Sequence, residues 1–169
     1  MKPSTKYGLI NAGVGVLWAM ILYVTGLNRN ASAMWIQFLG LIVPIICIVQ
    51  ATKLFRETEG NGYNSFGQTF RLGFIITSIG AVIGGIYHFI FLKFIDPTFI
   101  DFQMNQQLEK LQERGLSEEM IDKQIQMTSK FMTPVAQFGF AIVFGLLFSA
   151  IIALIMAAIL KKPNPDVIS

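Results

Sequence analysis

Few side chains in this chain could do chemistry, and they are widely spaced. His88 is the one histidine among 169 residues, and it lies in a long apolar run four positions beyond Gly84, on the same helical face. An ionisable group at membrane depth is a functional candidate, and imidazole titrates near neutral pH. No carboxylate in an apolar run stands ready to pair with it, and a second histidine for a metal site is absent. The plainer reading of His88 is an imidazole hydrogen-bonded to a neighbouring helix. Cys47 is the sole cysteine, so disulfides and multi-cysteine metal sites within the chain are excluded. Ser78 and Ser149 are isolated among apolar residues, and nowhere do a nucleophile, a base and an orienting group follow one another in a catalytic order. These patterns predict no catalytic residues, no cofactor and no metal.

The stretch EGNGYNSFGQTFRLGF, residues 59–74, is the other unusual feature. GNGYNSFG is glycine-rich, yet it lacks the lysine and the preceding strand of a phosphate-binding loop. Ser65 and Gln68 have the spacing of a capping box, in which serine oxygen and glutamine side chain satisfy orphan N–H groups at a helix start. Phe66, Phe70 and Phe74 then recur every four residues, and Arg71 can bury its stem while its guanidinium stays among headgroups. The segment predicts a helix starting at the membrane interface.

The elements that position these residues follow from composition. Hydrophobic residues make up 53% of the chain and charged residues only 14%. A soluble domain has about a quarter of its residues charged. A membrane-crossing helix needs about 20 mostly apolar residues, and residues 7–27, 33–54, 70–95 and 134–160 qualify. The expected fold is therefore all-α: one membrane domain over residues 1–169, an integral membrane bundle of four transmembrane helices with an extramembrane helical hairpin between the third and fourth. Lys2, Lys6 and the small-residue ASA at positions 31–33 imitate a secretory signal. The first apolar run is too long for that and is followed almost at once by another, so it reads as a spanning helix. The net charge of +3 follows the span ends rather than forming a basic patch, which gives no indication of nucleic acid.

Lys2, Lys6, Lys53, Arg56, Arg71, Lys161 and Lys162 fall on the side shared by both termini and the loop between the second and third spans. The other side has Arg29, Lys93 and Lys130 near the membrane, with Lys110, Arg114 and Lys123 farther out among acidic residues. The positive-inside bias predicts cytoplasmic termini.

The polar insert, residues 96–133, reads as two short helices. Asp96-Pro97 ends the third span, Gly115 divides the insert, and Ser117 followed by Glu118 and Glu119 starts the second helix. Phe99, Phe102, Leu108 and Leu111 supply one apolar face; Leu116, Ile121, Ile125 and Phe131 supply the other. Thr133-Pro134 caps the fourth span. An insert this long is needless for joining two helices, which takes about 2–8 residues.

Small residues mark packing seams: Gly8, Ala12, Gly15 and Ala19; Gly73, Thr77, Ala81 and Gly85; Gly145, Ser149, Ala153 and Ala157. Gly80 and Gly84 form a GxxxG, which predicts close backbone approach. Gly40 and Pro44 should bend the second span, since proline removes a backbone donor. Asn11, Gln37, Gln50 and Gln137 can bond between helices.

The motifs NSFGQTFRLGF (64–74), FIDPTF (94–99) and GLSEEMIDKQ (115–124), bracketed by four spans, resemble a bacterial family of four-helix membrane proteins catalogued as a domain of unknown function. Its phenylalanine-glycine-glutamine element falls on Phe66, Gly67, Gln68 and Phe70, with Arg71 following, and the resemblance covers residues 6–162. It implies the bacterial cytoplasmic membrane and no activity. The function expected is that of a non-enzymatic membrane protein acting through protein-protein interaction or as an accessory subunit, with lipid around it and a homo-oligomer or a membrane-protein partner. The alternative is a small transporter or channel subunit with Gly40 and Pro44 as hinge and His88, Gln37 and Gln137 along a path. Residues of functional or packing interest are His88, Gly80, Gly84, Pro44, Gln68 and Arg71.

Overall fold

The structure, a computed structural model, describes residues 1–30 and 34–164. The ASA stretch, with the expected start of the second span at Ala33, lies outside the described residues, as does the side chain of Gln37. Among the described residues the chain is all α. Four helices are long and apolar enough to cross a membrane: Pro3–Val24, Leu39–Thr58, Phe66–Ile95 and Pro134–Leu160.

Helix α1 (Pro3–Val24) begins four residues before the apolar run, because Pro3 suits the first helical position and nothing in Ser4–Lys6 opposes a helix. Helix α2 (Met34–Phe38) passes through a 3₁₀ turn at Leu39–Leu41 into α3 (Ile42–Thr58). The break has a simple cause. Pro44 has no N–H for the Gly40 carbonyl four residues earlier, and Gly40 is itself a poor helix former. A Cβ at Gly40 would lie 3.3 Å from the Trp18 ring, so the indole of α1 rests against the break. Helix α3 outlasts its apolar run by four residues and ends at Thr58, its last turn carrying Arg56.

Helix α4 (Phe66–Ile90) opens on the capping box. Ser65 N–H donates to Gln68 Oε1 at 2.7 Å, and Gln68 N–H donates to Ser65 Oγ at 3.2 Å. It continues as a π turn, Phe91–Ile95, and stops at Asp96. Lys93 there lies over the rings of Phe89 and Phe94, at 5.6 and 5.4 Å. Helices α5 (Phe99–Glu113) and α6 (Glu118–Ser129) occupy the insert, and α7 (Pro134–Leu160) follows. Thr133 caps α7 by accepting from Ala136 N–H at 3.2 Å. Ser117 has the extended backbone of an N-cap, but its hydroxyl makes no capping bond. Glu118 and Glu119 therefore favour that helix start through its dipole, without help from the serine side chain.

The chain divides into two compact units, Met1–Gly84 with Val143–Ser169, and Gly85–Ile142. In the first, Cys47, Ile48, Ala51, Ile76 and Met156 form the core. In the second, α5 and α6 pack on each other, burying Leu111 and Ile121, with Gly115 at φ +67° in the turn between them. A left-handed φ is what glycine supplies at no steric cost. Phe131, expected on the inner apolar face of this pair, is instead exposed and meets the ring of Phe140 at 5.8 Å. It lies beyond the last residue of α6, so helical periodicity no longer governs where it points.

Candidate functional site

The polar side chains gather in three places. The first is the loop that follows α3. Asn61 and Gly62 take positive φ, and the chain is then pinned by Asn64, which is only 2% exposed. Arg56 Nε donates to Asn64 Oδ1, and an Arg56 guanidinium NH₂ donates to the Leu160 carbonyl. Asn64 Nδ2 donates to Thr69 Oγ1 and, at 3.0 Å, to the same Leu160 carbonyl. Thr69 Oγ1 in turn donates to the Ser65 carbonyl at 3.0 Å. The backbones of Asn64 and Lys162 exchange both hydrogen bonds at 2.9 Å, an isolated antiparallel bridge. One asparagine thus joins the end of α3, the start of α4 and the end of α7, whose last carbonyls have no intrahelical donor. A guanidinium at that terminus also complements the helix dipole. Beside this latch, Gln68 and Arg71 help to line a cleft of about 480 Å³.

The second gathering is a cavity of about 240 Å³ within the first unit, lined among others by Gly40, Pro44, Gly80, Gly84, Asn11 and Ser149. Four residues singled out by conformational character in the sequence therefore meet at one place. The GxxxG spacing predicts two backbones in contact, but the structure differs. A Cβ at Gly80 would lie 2.3 Å from the Asn11 amide nitrogen, while one at Gly84 would meet no described atom within 4 Å. Gly80 makes room for a side chain, and Gly84 opens on the cavity. Asn11 donates to the Ile76 carbonyl at 3.4 Å. This relieves a buried amide with a backbone group already bonded along its helix.

The third lies in the second unit. His88 Nε2 is 3.1 Å from Gln137 Oε1, which assigns the proton to Nε2. Gln137 Nε2 donates to Gln103 Oε1 at 3.0 Å and lies 3.7 Å from the Met132 sulfur. The imidazole is thus held by a neighbouring helix and forms one end of a chain from α4 through α7 to α5. Gln103 has no mark in the sequence that would distinguish it from Gln106 or Gln107. Among the described residues no three His, Cys, Asp or Glu side chains converge to hold a metal.

Residues 6–162 match the family described as "Protein of unknown function (DUF4199)". The chain belongs to DUF4199. No curated protein and no solved structure matches it. The DUF4199 match takes in the Asn64 latch, the cavity and the His88 chain, and it begins after Lys2 and Ser4. As the family is one of unknown function, roles for these residues rest on their geometry.

Proposed function

We propose that this DUF4199 protein is an integral protein of the bacterial cytoplasmic membrane that catalyses no reaction and acts by binding another membrane protein, as an accessory subunit. Both termini lie in the cytoplasm, with α5 and α6 as an extramembrane hairpin on the opposite side. The grouping of Lys2, Arg56, Arg71 and Lys162 at the end of the first unit where α1 begins and α7 ends supports this direction, since cationic loops are retained on the cytoplasmic side. The observation that carries the functional reading is on α6 and the turn that follows it. Met120, Met127 and Phe131 are each more than half exposed and share one shallow face with Lys123, Gln124 and Thr128. At roughly 100° per residue this face is turned about 100° from buried Ile121. The α5 contact therefore leaves it uncovered, and none of the four span-length helices includes it. Methionine-rich apolar faces adapt to protein partners. A photo-reactive residue replacing Met127 is expected to capture one membrane protein in cells, while the same residue replacing Asp122 captures none. Equal yields from both positions would remove the basis for this reading, and capture of the chain itself would make the partner a second copy.

A second reading, a small transporter or channel subunit, is favoured by the cavity at the Gly40–Pro44 break. If a solute passes there, Gly84→Leu, which places a side chain in open space, abolishes flux into proteoliposomes. Unchanged flux would reject the cavity as the path.

A further inference from the structure

The cleft beside the Asn64 latch has a composition that neither the fold nor a protein-binding role requires. It is bounded by the start of α1 (Lys2, Pro3, Ser4, Thr5), the end of α3 (Phe55, Glu59) and the start of α4 (Gln68, Arg71, Leu72, Ile75). The first intrahelical bond of α1 is Lys6 N–H to the Lys2 carbonyl, so the N–H groups of Ser4 and Thr5 have no acceptor along the helix. Lys2 provides no side-chain cap, and the first turn contains no acidic residue to complement the dipole. Each of these is common at a helix start. Ser4 adds a further donor: the residue is 6% exposed and lines the cleft, and its hydroxyl makes no hydrogen bond among the described residues but is not sealed from solvent, unlike the buried, unpartnered Trp18 Nε1 and Ser78 Oγ. The Ser4 hydroxyl is therefore open to water or to whatever else occupies the cleft.

The other groups specify what that is. Lys2 and Arg71 bring two positive charges, and Gln68, whose Oε1 is committed to the capping box, has its amide N–H groups left to donate. Donors and cations at a helix N-terminus select a phosphate. Glu59 is the exception, a lone carboxylate at the same cleft that would repel an anion but pair with an ammonium. Phe55, Leu72 and Ile75 form an apolar wall, which suits a ligand with a hydrocarbon part. We infer that the cleft binds a zwitterionic phospholipid headgroup, its phosphate on Lys2, Arg71, Ser4 and the start of α1, its ammonium on Glu59. Phosphoethanolamine has this charge pattern, with a phosphate and a primary ammonium two carbons apart.

The inference rests on the proposed membrane location, and sedimentation with liposomes after alkaline washing reads insertion independently of the cleft. The test uses the full chain in detergent, titrated with short-chain phosphatidylethanolamine, phosphatidylglycerol or inorganic phosphate while thermal unfolding is followed. Wild type should show a saturable rise in midpoint with phosphatidylethanolamine at a concentration at least tenfold below that needed for phosphatidylglycerol. Arg71→Gln, at an exposed position, should weaken both lipids by about tenfold. Glu59→Gln should spare the phosphate and erase the preference, bringing the two lipids within about twofold of each other. An unsaturable response, or an Arg71→Gln protein that binds like wild type, would overturn the site. A preference that survives Glu59→Gln would overturn the ammonium assignment, and a full response to inorganic phosphate alone would overturn the lipid source. Protein that inserts into liposomes yet shows none of these responses refutes the cleft while leaving the membrane reading intact.

Discussion

Asn64→Leu lowers the unfolding free energy of the detergent-solubilised protein by about 3 kcal/mol, among the largest effects expected of any single side chain outside the apolar core. Leucine shares asparagine's branched skeleton of four side-chain heavy atoms, though its methyl groups are bulkier, and it removes every polar atom from this buried position. Three side-chain hydrogen bonds disappear together. Thr69, with no exposed surface, and the Leu160 carbonyl each lose a donor, while Arg56 loses an acceptor. The bonds are directional in a way that a second variant reads out. Asn64→Asp keeps an acceptor for Arg56 and adds an ion pair, but it sets a carboxylate oxygen against the Leu160 carbonyl where Nδ2 had donated. It should therefore fail to rescue stability at neutral pH, although its charge suits Arg56. Reversible unfolding in mixed micelles measures both. A loss under 1 kcal/mol for Asn64→Leu would show that the latch is replaceable by solvent.

The parts of this structure that sequence makes visible are those whose cause is local. The capping box at Ser65 and Gln68 and the Thr133-Pro134 start are recognisable because every participant lies within four residues. Proline and glycine at 44 and 40 foretell a break for the same reason, a missing donor one turn from a weak helix former. Span ends are less legible. The hydropathy of a segment sets which residues tolerate lipid, whereas the helix itself continues until a cap or a turn stops it, which is why α1 starts at Pro3 and α3 runs on to Thr58. Asn64 and Ser4 were unreadable for a different reason. An asparagine before a helix looks like a turn residue, and only the arrival of α7 and Arg56 makes it a hub. Ser4 looks like a helix-start residue, and only the walls supplied by α3 and α4 bury it. Gly80 is the converse case, since its spacing suggested a helix backbone and its actual neighbour is a side chain from α1.

Gly145→Leu should destabilise the protein by about 3 kcal/mol, whereas Gly13→Leu should change stability by less than about 1 kcal/mol. The contrast follows from the α4–α7 seam in the first unit. A Cβ at Gly73 would lie 3.3 Å from both Cα and Cβ of Ala153, and a Cβ at Gly145 would lie 2.9 Å from Cβ of Ala81. The two contacts are reciprocal, with glycine on α4 facing alanine on α7 at one and the reverse at the other. They are eight residues, or about 12 Å, apart along antiparallel helices. Alanine cannot rotate a Cβ out of the way, so any side chain at Gly145 must push the helices apart. Separation forfeits dispersion contacts along the seam, and in lipid no gain from burying apolar surface offsets that loss. Gly13 is exposed on α1, and a Cβ there meets no described atom within 4 Å, so leucine at that position projects freely and improves the helix propensity. Thermal midpoints of the two variants in the same detergent decide the matter. Equal losses would mean that the chain tolerates bulk at the seam as readily as on its surface, and that Gly73, Ala81, Gly145 and Ala153 do not hold α4 against α7.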